Sequence, residues 1–167
     1  MPRLLRKPPR IKYLEAAGAL ADGRVELLED RSVEDGLRAR ITSSTGERVY
    51  RVALVFEDGS VRAYSDDNGT RFRGYVGYPI LALLMIAGRI PRDPIVEEAL
   101  KGIPWKRLNE KYKKYDLVIE EVERIAESRG VPGERLEDFM RRASRSLSTV
   151  RVYFDERLSR GSLTSYF

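Results

Sequence analysis

Between Arg24 and Phe72 apolar and polar residues alternate with a period of two, and Thr45-Gly46 and Asp58-Gly59 interrupt the alternation. A period of two puts successive side chains on opposite faces of a pleated strand, and two-residue glycine turns tie such strands into hairpins. The pattern predicts strands over Arg24–Glu29, Leu37–Ser43, Arg48–Phe56 and Val61–Asp66, with a fifth short strand near Thr70–Arg73. Residues 29–35 read as an acidic loop. A tight Asp58-Gly59 turn sets Phe56 opposite Val61, Leu54 opposite Ala63 and Val52 opposite Ser65. The other turn sets Ile41 beside Tyr50 and Ala39 beside Val52. One sheet face is then apolar, and the other carries Arg38, Arg40, Arg51, Arg62 and Tyr64 around Ala53 and Val55.

The rest of the chain reads as helix. Residues 1–10 hold three prolines among basic residues and predict an extended, flexible arm. Ile11–Ala21 has an apolar face of Ile11, Leu14, Ala17 and Leu20 or Ala21, and Asp22-Gly23 ends it. Tyr78–Ala87 is apolar nearly all round, starts with Pro79 and is too short to span a membrane, which predicts a buried helix. A small helix over Asp93–Lys101 follows. Leu108, Tyr112, Tyr115, Ile119, Val122 and Ala126 keep a 4-3-4-3-4 spacing, and so do Leu136, Met140, Ala143, Leu147, Val150 and Phe154. These are heptad seams on two long helices, which fit either an internal hairpin or a partner helix. The expected fold is α+β: an antiparallel four- to five-stranded sheet packed on helices, followed by long heptad-bearing C-terminal helices. Its parts are a basic arm (1–10), an α+β nucleic-acid-binding domain (11–102) and a helical oligomerisation region (103–167).

Composition narrows the chemistry. With no Cys and no His, thiolate catalysis, a Ser–His relay and a disulfide framework are excluded. No cofactor is implied. Many charges, no Gln and only Asn68 and Asn109 as thermolabile amides suit a heat-adapted protein. Arg3, Arg6, Lys7, Arg10 and Lys12 account for the whole net +5, so the remaining chain is neutral overall. No apolar run reaches membrane length, and the reading is a cytoplasmic protein.

Six of the 15 aromatic residues fall between Tyr50 and Tyr78. Within that span Arg71, Phe72, Arg73 and Tyr75 interleave cations with rings beside Gly74 and Gly77. Arginine neutralises phosphate and rings stack on unpaired bases, so these residues join Arg38, Arg40, Arg51, Arg62 and Tyr64 as a candidate nucleic-acid surface. A further basic run, Lys101 to Lys114, includes Trp105 and Tyr112. Asp66 and Asp67 are an alternative: adjacent carboxylates can hold Mg²⁺ for phosphodiester cleavage.

Two resemblances follow from these residues. Arg62-Ala-Tyr-Ser65 followed by Arg73-Gly-Tyr-Val-Gly-Tyr-Pro79 resembles the strand–turn–helix layout of a SWIM zinc motif. Ala63, Ser65, Tyr75 or Val76, and Tyr78 stand where its zinc ligands would be, which implies a metal-free relative. The overall plan resembles the ThermoDBP group of archaeal single-stranded DNA-binding proteins. That likeness rests on the basic arm, Ile11 to Val25, the sheet, Tyr64 to Gly69, Gly74 to Pro79 and the heptads. It implies sequence-independent binding of single-stranded DNA by a homo-oligomer (dimer or tetramer) joined through its C-terminal helices; RNA is the alternative strand, since no residue pattern here reports on a 2′-hydroxyl. A helical scaffold without catalytic activity is the remaining reading.

Overall fold

Both glycine turns close where the alternation places them, and positive φ angles of 80° at Gly46 and 71° at Gly59 show why glycine stands there. The computed structural model describes residues 2–28 and 36–159. In chain order they form β1 (Arg3–Leu4), α1 (Ile11–Ala21), β2 (Val25–Leu27), β3 (Gly36–Thr42), β4 (Val49–Glu57) and β5 (Ser60–Ser65). A π-helical turn (Gly69–Arg73), α2 (Tyr78–Ile86), α3 (Pro94–Ala99) and α4 (Trp105–Tyr112) follow. α5 (Tyr115–Ser128), α6 (Gly133–Leu147), β6 (Arg151–Phe154) and a 3-10 turn (Glu156–Ser159) complete the order. The predicted acidic loop at 29–35 lies outside the described residues. The hairpin register matches the sequence reading: Phe56 faces Val61, Leu54 faces Ala63, Ile41 faces Tyr50 and Ala39 faces Val52.

The expected fold class needs correction in two respects. The sheet is mixed and six-stranded, in the order β1-β6-β5-β4-β3-β2, and β6 runs parallel to β5. The helices are short, and among the described residues there is no pair of long C-terminal coiled-coil helices. Val150 and Phe154 continue the heptad spacing by coincidence; α6 stops at Leu147 and Arg151–Phe154 enters the sheet. Val152 and Phe154 turn inward while Arg151 stays exposed. The first seam breaks as well, because Lys113 takes a left-handed conformation with φ 61° between α4 and α5. In place of a fifth strand at Thr70–Arg73 there is the π-helical turn.

The segment expected as a flexible basic arm is built into the sheet. Arg3 and Leu4 pair with Phe154 and Tyr153, and the Arg3 guanidinium lies 4.6 Å from the centre of the Phe154 ring. Further along, the Arg6 amide donates to Gly74 O at 2.9 Å and Arg6 O accepts from the Val76 amide at 3.0 Å.

α2 is buried between α1 and the sheet, and α1 is buried almost all round rather than on one face. Leu108, Ile119, Val122, Ala126, Leu136, Met140, Ala143 and Leu147 are covered by the chain's own core, where α5 and α6 meet each other, α1 and α3. The heptad residues therefore give no ground for a partner helix. No helix among the described residues is long and apolar enough to cross a membrane.

The carboxyl groups of Glu123 on α5 and Glu137 on α6 face each other. Burial, then the hydrogen bond and charge of Glu137, push Glu123 up from 4.5 to about 8. Glu137 is held below its ordinary value by that hydrogen bond and by Arg10, whose guanidinium lies 2.6 Å away. The fold thus favours neutral Glu123. Its contribution is complete below the ordinary value of 4.5 and is lost as pH rises through about 8. The melting temperature should fall between about pH 5 and pH 8, and Glu123→Gln should flatten that part of the profile. A variant as pH-sensitive as the parent would acquit Glu123.

Candidate nucleic-acid interface

The register brings Arg38, Arg40, Arg51, Arg62 and Tyr64 to one sheet face, as the alternation requires. The 3-10 turn then packs against β4 and β5 on that face. The Tyr64 ring lies against Phe154, with centres 5.7 Å apart, so a neighbouring ring already occupies it as a stacking platform. The Arg62 guanidinium donates to Asp155 at 2.8 Å and to Glu57 at 3.0 Å. Arg157 also donates to buried Asp155, and together the two arginines hold that carboxyl well below the ordinary carboxylate range, against the cost of burying it. Arg40 faces Glu26 at 3.5 Å, and Arg51 reaches Ser159 O at 3.4 Å. A groove of about 150 Å³ lies between Leu28, Tyr64 and Leu158 on this face.

A larger cavity lies on the opposite side of the sheet. Tyr50 follows the strand alternation away from Arg51 and faces a cavity of about 410 Å³ between α1, the β3–β4 turn, residues 67–78, α4 and the start of α5. Tyr50, Tyr75, Tyr78, Tyr115 and Trp105 wall it. Tyr50 and Tyr78 meet edge to face, with ring centres 6.0 Å apart. Burial raises the hydroxyls of Tyr50, Tyr75 and Tyr78 above their ordinary value, so all three stay neutral donors in the physiological range.

Five cations also line the cavity: Lys12, Arg24, Arg48, Arg73 and Lys106. Arg24 is tied to Thr42 O at 2.8 Å and Asp22 at 3.4 Å, and Lys106 faces Glu47 at 3.6 Å. Among the described residues the guanidiniums of Arg48 and Arg73 join no ion pair and donate no hydrogen bond; Arg48 lies over the Tyr50 ring at 5.2 Å. Deeper in, Glu15 is 6% exposed, and Lys12 Nζ is 3.3 Å from each of its carboxylate oxygens. Burial raises Glu15 above its ordinary value against the pull of Lys12. Burial works against the charge of Lys12, but Glu15, Tyr75 and Tyr115 together raise it. Asn109 Oδ1 and Trp105 Nε1 are buried without a hydrogen-bond partner among the described residues.

Asp67 fastens the loop that carries the wall. Its carboxylate accepts from Thr70 N at 3.1 Å, from Thr70 Oγ1 at 2.8 Å and from Ser65 Oγ. Thr70 Oγ1 in turn accepts from Gly77 N at 3.1 Å. Asp66 accepts from the Arg51 amide at 2.9 Å. Both carboxylates thus hold backbone, and no group of three or more acidic residues placed to bind a metal exists among the described residues. Tyr75 packs against Gly69, where a β-carbon would stand 2.7 Å from the ring's Cζ.

Of the sequence candidates, Arg73 and Tyr75 reach the cavity, and Trp105 and Lys106 join them from the Lys101–Lys114 run. Arg71 and Phe72 lie exposed on the π-helical turn next to Arg73, Phe72 with 74% of its surface open. Lys12, Glu15 and Tyr115 were not legible as site residues. Their one signal is a charged pair three residues apart within an otherwise apolar helix.

Fold and site together define an α+β protein with a mixed sheet and a cationic, tyrosine-walled cleft. The chain belongs to the family described as uncharacterised conserved protein UCP014422, which matches residues 5–153 and so includes every residue of the cleft. No curated protein and no solved structure gives a significant match.

Proposed function

We propose that the protein binds single-stranded nucleic acid, seating one base among the cavity's rings while Arg48 and Arg73 take the adjoining phosphates. The observation that carries this reading is five aromatic side chains around one cavity beside two arginines that have no acidic partner among the described residues. Rings engage bases only when these are unstacked, and guanidinium groups take phosphate oxygens in bidentate fashion. Arg71 and Phe72 continue the same chemistry along the π-helical turn, towards a neighbouring nucleotide. The sheet's outer face, with Tyr64 packed and Arg62 paired, is the weaker candidate. A cavity of this kind reads one position and tolerates its neighbours, in place of the uniform tolerance that the sequence suggested.

Fluorescence anisotropy with labelled single-stranded DNA, single-stranded RNA and duplex DNA at several salt concentrations tests the reading. Single strands should bind more tightly than duplex, without added metal, and should be recovered intact. Duplex binding as tight as single-strand binding would overturn it and leave only a polycation. Metal-dependent cleavage would favour a phosphodiesterase instead.

A further inference from the structure

The floor of the cavity has a hydrogen-bonding pattern that distinguishes among bases. Glu15 projects from α1 into the cavity with its carboxylate almost wholly buried. An ionised carboxylate has about four acceptor sites, and the side-chain donors around it are few: Lys12 Nζ, 3.3 Å from both oxygens, and the Asn109 amide. Asn109 Oδ1, on the same side chain that reaches Glu15, is a buried acceptor that nothing in the described chain satisfies. The floor therefore presents neighbouring acceptors, and a buried acceptor without a donor is costly. A ligand that fits must bring donors side by side.

The bases differ in this respect. Guanine carries N1–H and N2–H₂ next to each other, with O6 beside them as an acceptor. Adenine offers a donor at N6 but an acceptor at N1, cytosine a donor at N4 but an acceptor at N3. Thymine and uracil have a single N3–H between two acceptors. Guanine is the one base whose donors are adjacent and whose remaining acceptor can turn to Lys12.

We propose that the cavity is a guanine subsite, in which Glu15 and Asn109 accept from N1–H and N2–H₂ while the tyrosines sandwich the ring. The proposal rests on the strand-binding reading and adds to it a base identity. The Lys12–Glu15 pair then has a purpose beyond neutrality: Lys12 favours the ionised, accepting form of the carboxylate against the burial that raises it.

The test uses short labelled oligothymidylates with one central guanine, hypoxanthine, adenine or cytosine, or with no replacement. The parent protein should bind the guanine strand about tenfold more tightly than the adenine and all-thymine strands. Hypoxanthine, which lacks only the N2 amino group, should lose most of that advantage. Glu15→Gln, with a donor in place of one acceptor, should bind all the strands alike. Hypoxanthine equal to guanine, or a Glu15→Gln protein that keeps the preference, overturns the assignment. The hypoxanthine comparison decides the matter even if the variant does not fold. Tight, equal binding of every strand overturns the guanine subsite and leaves strand binding standing, whereas no binding of any strand overturns both.

Discussion

Gly77→Ala should cost about 3 kcal/mol or more of folding stability, near the upper end for a single methyl group. The backbone is not the reason: Gly77 precedes α2 with φ −71° and ψ 164°, which any residue adopts. The reason is Asp67, whose Cγ and Oδ1 would both lie 2.7 Å from the new β-carbon. The carboxylate cannot simply turn aside, because it holds Thr70 N, Thr70 Oγ1 and Ser65 Oγ inside the protein, where Ser65 and Thr70 are fully buried. Overpacking alone costs about 1–3 kcal/mol, and stranding a buried acceptor or donor adds about 1–3 kcal/mol. A double-mutant cycle isolates the collision. Asp67→Ala should destabilise by itself, but Gly77→Ala placed on that background should cost little, because the obstacle has gone. Urea midpoints measured at constant slope give all four corners. Additive costs, or a Gly77→Ala protein with the parent midpoint, would show that the loop yields around Asp67.

That network marks the limit of what the sequence reveals. Ser65, Asp67, Thr70 and Gly77 read as turn residues and a glycine hinge, since local chemistry says nothing about which of them fold back on one another. Hairpin register was legible, because alternation and turn length determine it within about 30 residues of chain. β6 was not legible. Its four residues lie between strands from the N-terminal end and the middle of the chain, and Val150 and Phe154 happened to satisfy a heptad. The break at Lys113 left no trace either, as a left-handed lysine carries no glycine or proline signal. It is this break that turns Tyr115 away from a continuous seam and lets the start of α5 close the cavity.

The same logic explains the site. Arg73, Tyr75, Trp105 and Lys106 stood out as cations and rings near one another in sequence, and they do line the cavity. Tyr64, Arg51 and Arg62 stood out equally, but the 3-10 turn that covers their face belongs to a distant part of the chain. Glu15 and Lys12 stayed hidden because an amphipathic helix at the surface would carry such a pair on its solvated side. Burial of α1 all round makes the pair a feature of the interior.

Tyr75→Ala should weaken binding of single strands by about 1–3 kcal/mol, or about 5- to 150-fold, with the salt dependence unchanged. The ring carries no charge, so its loss removes stacking and leaves every phosphate contact in place. Gly69→Ala should act in the same direction with the ring still present, because the new methyl group would meet the ring atoms of Tyr75 that now rest on Gly69. Arg48→Ala and Arg73→Ala should behave differently. Each removes about one phosphate contact, so affinity should fall for all strands alike and the slope of log K against log salt should become shallower by about 0.7. Arg40→Ala and Arg51→Ala on the other sheet face serve as controls of equal charge, and should change little beyond a general electrostatic effect. The contrast matters more than any one value, since loss of any surface cation weakens a polyanion somewhat. If the Arg40 and Arg51 variants lose affinity and slope while the Tyr75, Gly69, Arg48 and Arg73 variants bind like the parent, the strand lies across the outer face of the sheet. The tyrosine-walled cavity would then need a different ligand.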